Sequence, residues 1–166
     1  ELRMILGSDR TDADRVALFV NPTREDVERV LETGLIDRLQ FHGDEDQKFC
    51  SSFGIPQIQA GRVRDSKSIE DVFRKYETAD MILLDADSPR GMGGTGETFD
   101  WELAGVLSDC QLRKTILAGG LTEANVVEAI TTVRPFGVDV SSGVEVSAGK
   151  KDLLKMKRFI EGVKSV

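Results

Sequence analysis

Apolar runs alternate with amphipathic stretches along nearly the whole chain. Arg15–Val20, RVALFV, is continuous and apolar, and it predicts a strand buried on both faces as in a parallel sheet. Asn21-Pro22-Thr23 then reads as a turn, with Thr23 as N-cap and Asp26 three residues on. Val27, Val30 and Leu31 recur at helical spacing, and Gly34 ends that helix. The next strand is Leu39-Gln40-Phe41, ending in His42-Gly43, and a helix is expected from Asp44 and Glu45 to about Phe53. Ile55–Val63 predicts a strand, and Ser66 caps a helix with Ile69, Val72 and Phe73 on one face. Asp80–Leu84 is a strand that ends in Asp85. A polar loop, Ala86–Thr98, separates it from a short helix over Trp101–Leu107. Strand Thr115–Ala118, a helix from about Glu123 to Thr131, strand Gly137–Val140 and a last helix over Lys151–Val163 complete the series. The last helix is expected to bury Leu153, Met156, Ile160 and Val163. Ahead of all this, Glu1–Leu6 reads as the tail of a helix stopped at Gly7-Ser8-Asp9, so the chain is expected to be the later part of a longer fold.

Strand followed by helix, six times over, predicts a parallel sheet with helical crossovers in a single domain over 1–166. The candidate functional groups fall just after strands. That is the C-terminal edge, where both barrels and doubly wound sheets place their sites. Gly91, Gly93 and Gly96 match G-x-G-x-x-G, but five residues separate Asp85 from Gly91, the stretch after Gly96 is not an apolar helix start, and the next strand ends Ala118-Gly119-Gly120 without a carboxylate. A barrel fits this pattern better than a nucleotide-binding open sheet.

Two of the strand ends share a chemistry. Gly137–Val140 runs into Ser141-Ser142-Gly143, and Thr115–Ala118 runs into Gly119-Gly120. Glycine lets the backbone come close to a ligand, and unpaired N–H groups at such turns attract anions. The pair predicts one shared phosphate site between the last two strands, a recurrent position in barrels.

Composition narrows the partners. The 166 residues carry a net charge of −7 with basic residues dispersed, which argues against a nucleic-acid partner but not against a small anion. No apolar run has the length of a membrane span, and the N-terminal residues lack a signal-peptide pattern. Cys50 and Cys110 are far apart without CxxC spacing, which suggests reduced thiols and a cytoplasmic chain. The single histidine and the cysteines show no zinc spacing, so no metal site is expected.

The motifs LDADSPRGMGGTGETFDW at Leu84–Trp101 and RPFGVDVSSGVEVSAGKKD at Arg134–Asp152 resemble those of phosphoribosylanthranilate isomerases. ALFVNPT, QFHGDE at Gln40–Glu45 and LAGGLTEANV at Leu117–Val126 follow the same family in the same order. The resemblance covers nearly the whole chain. It implies a TIM (βα)8-type barrel, of which about six βα units are present. It further implies an enzyme of tryptophan biosynthesis that converts N-(5′-phosphoribosyl)anthranilate to 1-(2-carboxyphenylamino)-1-deoxyribulose 5-phosphate, an Amadori rearrangement. Such an enzyme needs no metal and no cofactor, and works as a monomer or homodimer. Asp85 matches the family's general acid, and its apolar setting is expected to raise its pKa. Gly119, Gly120, Ser141, Ser142 and Gly143 match the phosphate-gripping loops. His42, Asp139, Gly93 and Gly94 are the expected substrate contacts. Asp139 reads equally well as a buried turn-former, and His42 as a histidine bonded to a neighbouring loop.

The sequence also departs from the pattern. The family's general base is a cysteine on the first barrel strand in a KxCG setting, which these residues do not contain; Cys50 and Cys110 are assigned to packing or surface. Gln59 stands where the family usually has lysine, and Ala86 where threonine is common. Weak or no turnover by these residues is expected on that ground. Two other readings stay open: a phosphometabolite-binding relative without catalysis, and a histidine-pathway sugar-phosphate isomerase, which would need a second phosphate site.

Overall fold

A computed structural model describes residues 13–86 and 98–166, so the expected helix tail at Glu1–Leu6 and the Gly93-Gly94 stretch lie outside the described residues. The chain divides into two compact units, Glu1–Ala60 with Tyr76–Met81, and Gly61–Lys75 with Ile82–Val166.

In the first unit the strands β1 (Val16–Phe19), β2 (Arg38–Phe41) and, as far as Ala60, β3 (Gln57–Val63) lie in that order, each pair parallel. The crossovers are the helices α1 (Arg24–Leu31) and α2 (Gln47–Ser51). Thr23 and Asp26 close the expected capping box at the start of α1. Helix α2 is shorter than expected. Asp46 caps it, and Glu45 stays outside, accepting hydrogen bonds from the Asn21 and Gly43 N–H groups at 2.7 and 2.9 Å. Val27, Leu39, Phe41 and Cys50 form the buried core, with Phe19, Phe49 and Phe53 packed around Phe41. Cys50 is therefore a packing residue, as expected.

Strand β1 departs from the expectation. Val16, Leu18 and Val20 are 43, 57 and 43% exposed, while Ala17 and Phe19 pack on the core. Successive side chains of a strand point to opposite faces, so an apolar run makes both faces apolar without supplying a layer to cover each. Among the described residues, only the Ala17/Phe19 face is covered.

The second unit holds β4 (Met81–Ala86), β5 (Thr115–Leu117) and β6 (Gly137–Val138), again parallel and in sequence order. Helix α3 (Ser66–Lys75) packs on a 3-10 turn at Trp101–Val106, and α5 (Val126–Val133) packs on that turn and on α6 (Leu153–Lys164). The Trp101 indole N–H is buried without a hydrogen bond among the described residues. A short helix α4 (Asp109–Leu112) carries Cys110 on the surface. A second short turn, Ser142–Val144, leads into a hairpin of β7 (Glu145–Ser147) and β8 (Lys150–Lys151). Helix α6 buries Phe159, with Met156 and Val163 half-buried, whereas Leu153 and Ile160 are 81 and 48% exposed. The inward stripe thus runs Met156-Phe159-Val163, at i, i+3, i+7, and Leu153 falls outside it.

Candidate active site

Asp85 is the last buried residue of β4, at 9% exposure after the fully buried run Ile82-Leu83-Leu84. Leu84, Leu117 and Val138 are register partners across β4, β5 and β6. The Ala118 N–H bonds the Leu84 carbonyl and the Asp139 N–H bonds the Leu117 carbonyl, both at 2.8 Å. One residue further on, Asp85, Ala118 and Asp139 therefore share a row on the opposite face from the three apolar partners. Asp139 is exposed, not the buried turn-former that one sequence reading allowed.

The two glycine loops touch. Gly119 has φ +83, and a Cβ there would sit 2.8 Å from Asp85 Oδ1 and 2.6 Å from the Ala86 nitrogen. Only glycine fits that conformation and that approach. A Cβ on Gly143 would overlap the carbonyl oxygen of Leu121, in the loop that follows Gly120. Asp85, Gly119, Leu121 and Gly143 thus form a continuous line of close approaches at the C-terminal ends of β4, β5 and β6. The Gly120 carbonyl accepts a hydrogen bond from Asn125 Nδ2 at 3.1 Å, while Asn125 Oδ1 takes the Thr122 N–H at 2.8 Å. That asparagine, overlooked in the sequence, ties the first loop to the start of α5.

Behind the second loop stands a charged cluster. Lys151 Nζ donates to the Ser141 carbonyl at 2.9 Å and to Glu145 Oε1 at 2.8 Å. Glu145 Oε2 takes the Gly149 N–H at 3.2 Å, and the Glu145 carbonyl takes Lys155 Nζ at 2.9 Å. The Lys151 hydrogen bond, helped by the Gly149 N–H and outweighing partial burial, holds the Glu145 carboxyl below the usual glutamate range. The GKKD run that supplies Lys151 was visible in the sequence, but its partner Glu145 is six residues away in a hairpin too short to predict.

His42 ends β2 in the first unit. Its N–H bonds the Phe19 carbonyl at 2.9 Å, and its Nδ1 lies 3.5 Å from Gln40 Oε1. Gln59, in the same unit, is 1% exposed; its Nε2 donates to Gln57 Oε1 at 2.9 Å, and its own Oε1 is buried without a partner among the described residues. Register places Gln59 beside Phe41, on the face that packs against the helices. Among the described residues, no group of three or more His, Cys, Asp or Glu side chains is placed to hold a metal, and no helix is long and apolar enough to cross a membrane.

The family model of N-(5′-phosphoribosyl)anthranilate (PRA) isomerase matches residues 5–162. The chain belongs to this family. An N-(5′-phosphoribosyl)anthranilate isomerase from Legionella pneumophila (strain Lens) is 41% identical over 161 residues, covering 97% of this chain and 76% of the relative. One from Pseudomonas savastanoi pv. phaseolicola is 47% identical over 148 residues, covering 89% and 70%. The crystal structure of phosphoribosyl anthranilate isomerase from Thermotoga maritima superposes with a TM-score of 0.87 at 36% identity, covering 99% of this chain and 79% of that one. A phosphoribosyl anthranilate isomerase in complex with reduced 1-(o-carboxyphenylamino)-1-deoxyribulose 5-phosphate gives 0.80 at 34% identity, covering 99% and 78%. The fold is therefore of the TIM (βα)8 type, with about six βα units in this chain, and the motifs singled out above are those of the PRA isomerases.

Proposed function

We infer that this chain is a PRA isomerase, catalysing the Amadori rearrangement of N-(5′-phosphoribosyl)anthranilate to 1-(2-carboxyphenylamino)-1-deoxyribulose 5-phosphate in tryptophan biosynthesis. Family membership supports the reaction. The observation that carries the site is the line Asp85–Gly119–Leu121–Gly143, which sets a carboxyl group beside two glycine loops that touch each other. The substrate's phosphate rests on the backbone of Gly119-Gly120 and Ser141-Ser142-Gly143, where close approach is sterically open. That anchor aims the ribose at Asp85. Opening the aminoaldose ring needs a proton on the ring oxygen, and Asp85 supplies it as general acid. Moving the carbonyl then needs a proton taken from the neighbouring carbon. Neither cysteine suits that base role, Cys50 being sealed in the core and Cys110 lying out on α4, so the proton goes to the family's base, the cysteine of the first barrel strand, which these residues do not contain. Asp139 shares the row of Asp85 and contacts the sugar. We place the reaction in the cytoplasm, with the enzyme a monomer or homodimer acting on this small molecule.

The test is the loss of substrate fluorescence on adding the purified chain. The expected result is a weak decay proportional to enzyme, since neither cysteine serves as the base, slowed further by roughly 10²- to 10⁴-fold in Asp85→Asn, the usual share of a general acid. Phosphate-ester binding without turnover, in protein that also carries the family's first barrel strand with its cysteine, would overturn the isomerase reading in favour of a non-catalytic phosphometabolite-binding protein.

A further inference from the structure

The Ser141 backbone, at φ −115 and ψ −89, lies outside the regular helix and strand regions. What holds it there is visible: Lys151 Nζ takes its carbonyl at 2.9 Å. The Ser141 C=O and the Ser142 N–H belong to one peptide unit, and the chain has no cis peptide among its described residues. In a planar trans peptide the C=O and N–H point in opposite directions. Drawing the carbonyl toward Lys151 therefore turns the Ser142 N–H the other way. That N–H takes no hydrogen bond among the described residues.

Lysine has a long flexible stem, and a single contact would not fix it. Glu145 supplies the second point, with Oε1 at 2.8 Å from Lys151 Nζ, and is itself tied by the Gly149 N–H and, through its carbonyl, by Lys155. The Lys151 and Glu145 side chains are 42 and 13% exposed. Ion pairs open to water on one side contribute little to stability, so global folding gives no strong reason for this arrangement. Its contact with the Ser141 carbonyl does give one.

We propose that Lys151 and Glu145 are positioning residues for the Ser141–Gly143 loop, setting the enzyme's affinity for the phosphate of its substrate without touching it. This rests on the reading of that loop as the phosphate grip. Lys151 orients the Ser141–Ser142 peptide, and Glu145 holds Lys151 in place to do so.

The experiment measures inorganic phosphate binding by calorimetry on the full chain and its variants Lys151→Met, Lys151→Arg and Glu145→Gln, alongside kcat, KM and the denaturation midpoint. Loss of one charge-assisted hydrogen bond in Lys151→Met should weaken phosphate binding about tenfold. KM should rise in the same proportion, with kcat held within about twofold, the signature of lost ground-state binding. Lys151→Arg, which keeps a cationic donor, should recover most of the affinity. Glu145→Gln discriminates further. It removes a negative charge near an anion site, so bulk electrostatics alone would tighten phosphate binding, whereas loss of the clamp weakens it. Unchanged phosphate affinity in Lys151→Met, or tighter binding in Glu145→Gln, overturns the proposal while leaving the phosphate site standing. A wild-type chain that binds no phosphate overturns both.

Discussion

Gly143 has no room for a side chain, because the Leu121 carbonyl occupies the place where a Cβ would go. Gly143→Ala must push the two loops apart. Crowding of this kind costs about 1–3 kcal/mol, and here it also opens the proposed phosphate seat. We expect a lower denaturation midpoint together with weaker phosphate binding, checked by urea titration and calorimetry on the same sample. Gly105→Ala, at a glycine with open space around it, should leave phosphate binding unchanged. At this scale the candidate site is partly legible in the sequence. Asp85 and the five loop residues stood out because glycine and serine after an apolar strand have a distinct chemistry. Asn125 and Glu145 did not, because each acts on a backbone group that sequence alone cannot locate. The sequence shows Gln59 as a departure from lysine, but only strand register puts it beside Phe41 with Gln57 as its partner.

The helices depend on their ends. Asp152 caps α6, its Oδ1 accepting from the N–H groups of Leu154 and Lys155. Asp152→Ala should cost about 1 kcal/mol, the usual value for a lost N-cap, read from equilibrium unfolding in denaturant. Titration offers a second check. The Asp26 carboxyl is held below the ordinary aspartate range, first by the Thr23 hydroxyl and then by the Thr23 N–H, and Glu145 is lowered mainly by Lys151. A carboxyl depressed in the fold stabilises it above its unfolded pKa, and that stability is lost as pH falls through the depressed value. The denaturant midpoint should therefore hold steady at neutral pH and decline on acidification below the ordinary carboxylate range. Most elements were readable from spacing, including the capping box at Thr23 and Asp26. Spacing sets the start of helix α6 to within two residues, yet Leu153, core-like by composition, lies outside the inward stripe set by Phe159. The β7–β8 hairpin has strands of three and two residues, below the length at which alternation carries a signal.

Across the whole chain, parallel strands alternate with helices as the apolar rhythm required, and the superposition on the Thermotoga maritima structure gives the same fold. What the rhythm did not reveal was how much apolar surface β1 leaves uncovered. Val16, Leu18 and Val20 form a row on one face, and exposed apolar strand surface invites pairing with other chains. Leu18→Lys tests this row: where copies pair through it, a later, narrower peak is expected by size-exclusion chromatography with light scattering, without loss of secondary structure by circular dichroism. An unchanged mass distribution would show that this row is not what brings copies together.

The sequence holds one histidine and one tryptophan, and the partition of the chain puts His42 in one compact unit and Trp101 in the other. Each unit therefore carries its own built-in reporter. Imidazole proton resonances follow the first unit, and indole emission, from a ring whose N–H is buried, follows the second. Melting can be watched in both places at once in unlabelled protein, and two curves that coincide or separate tell directly whether the units come apart as one.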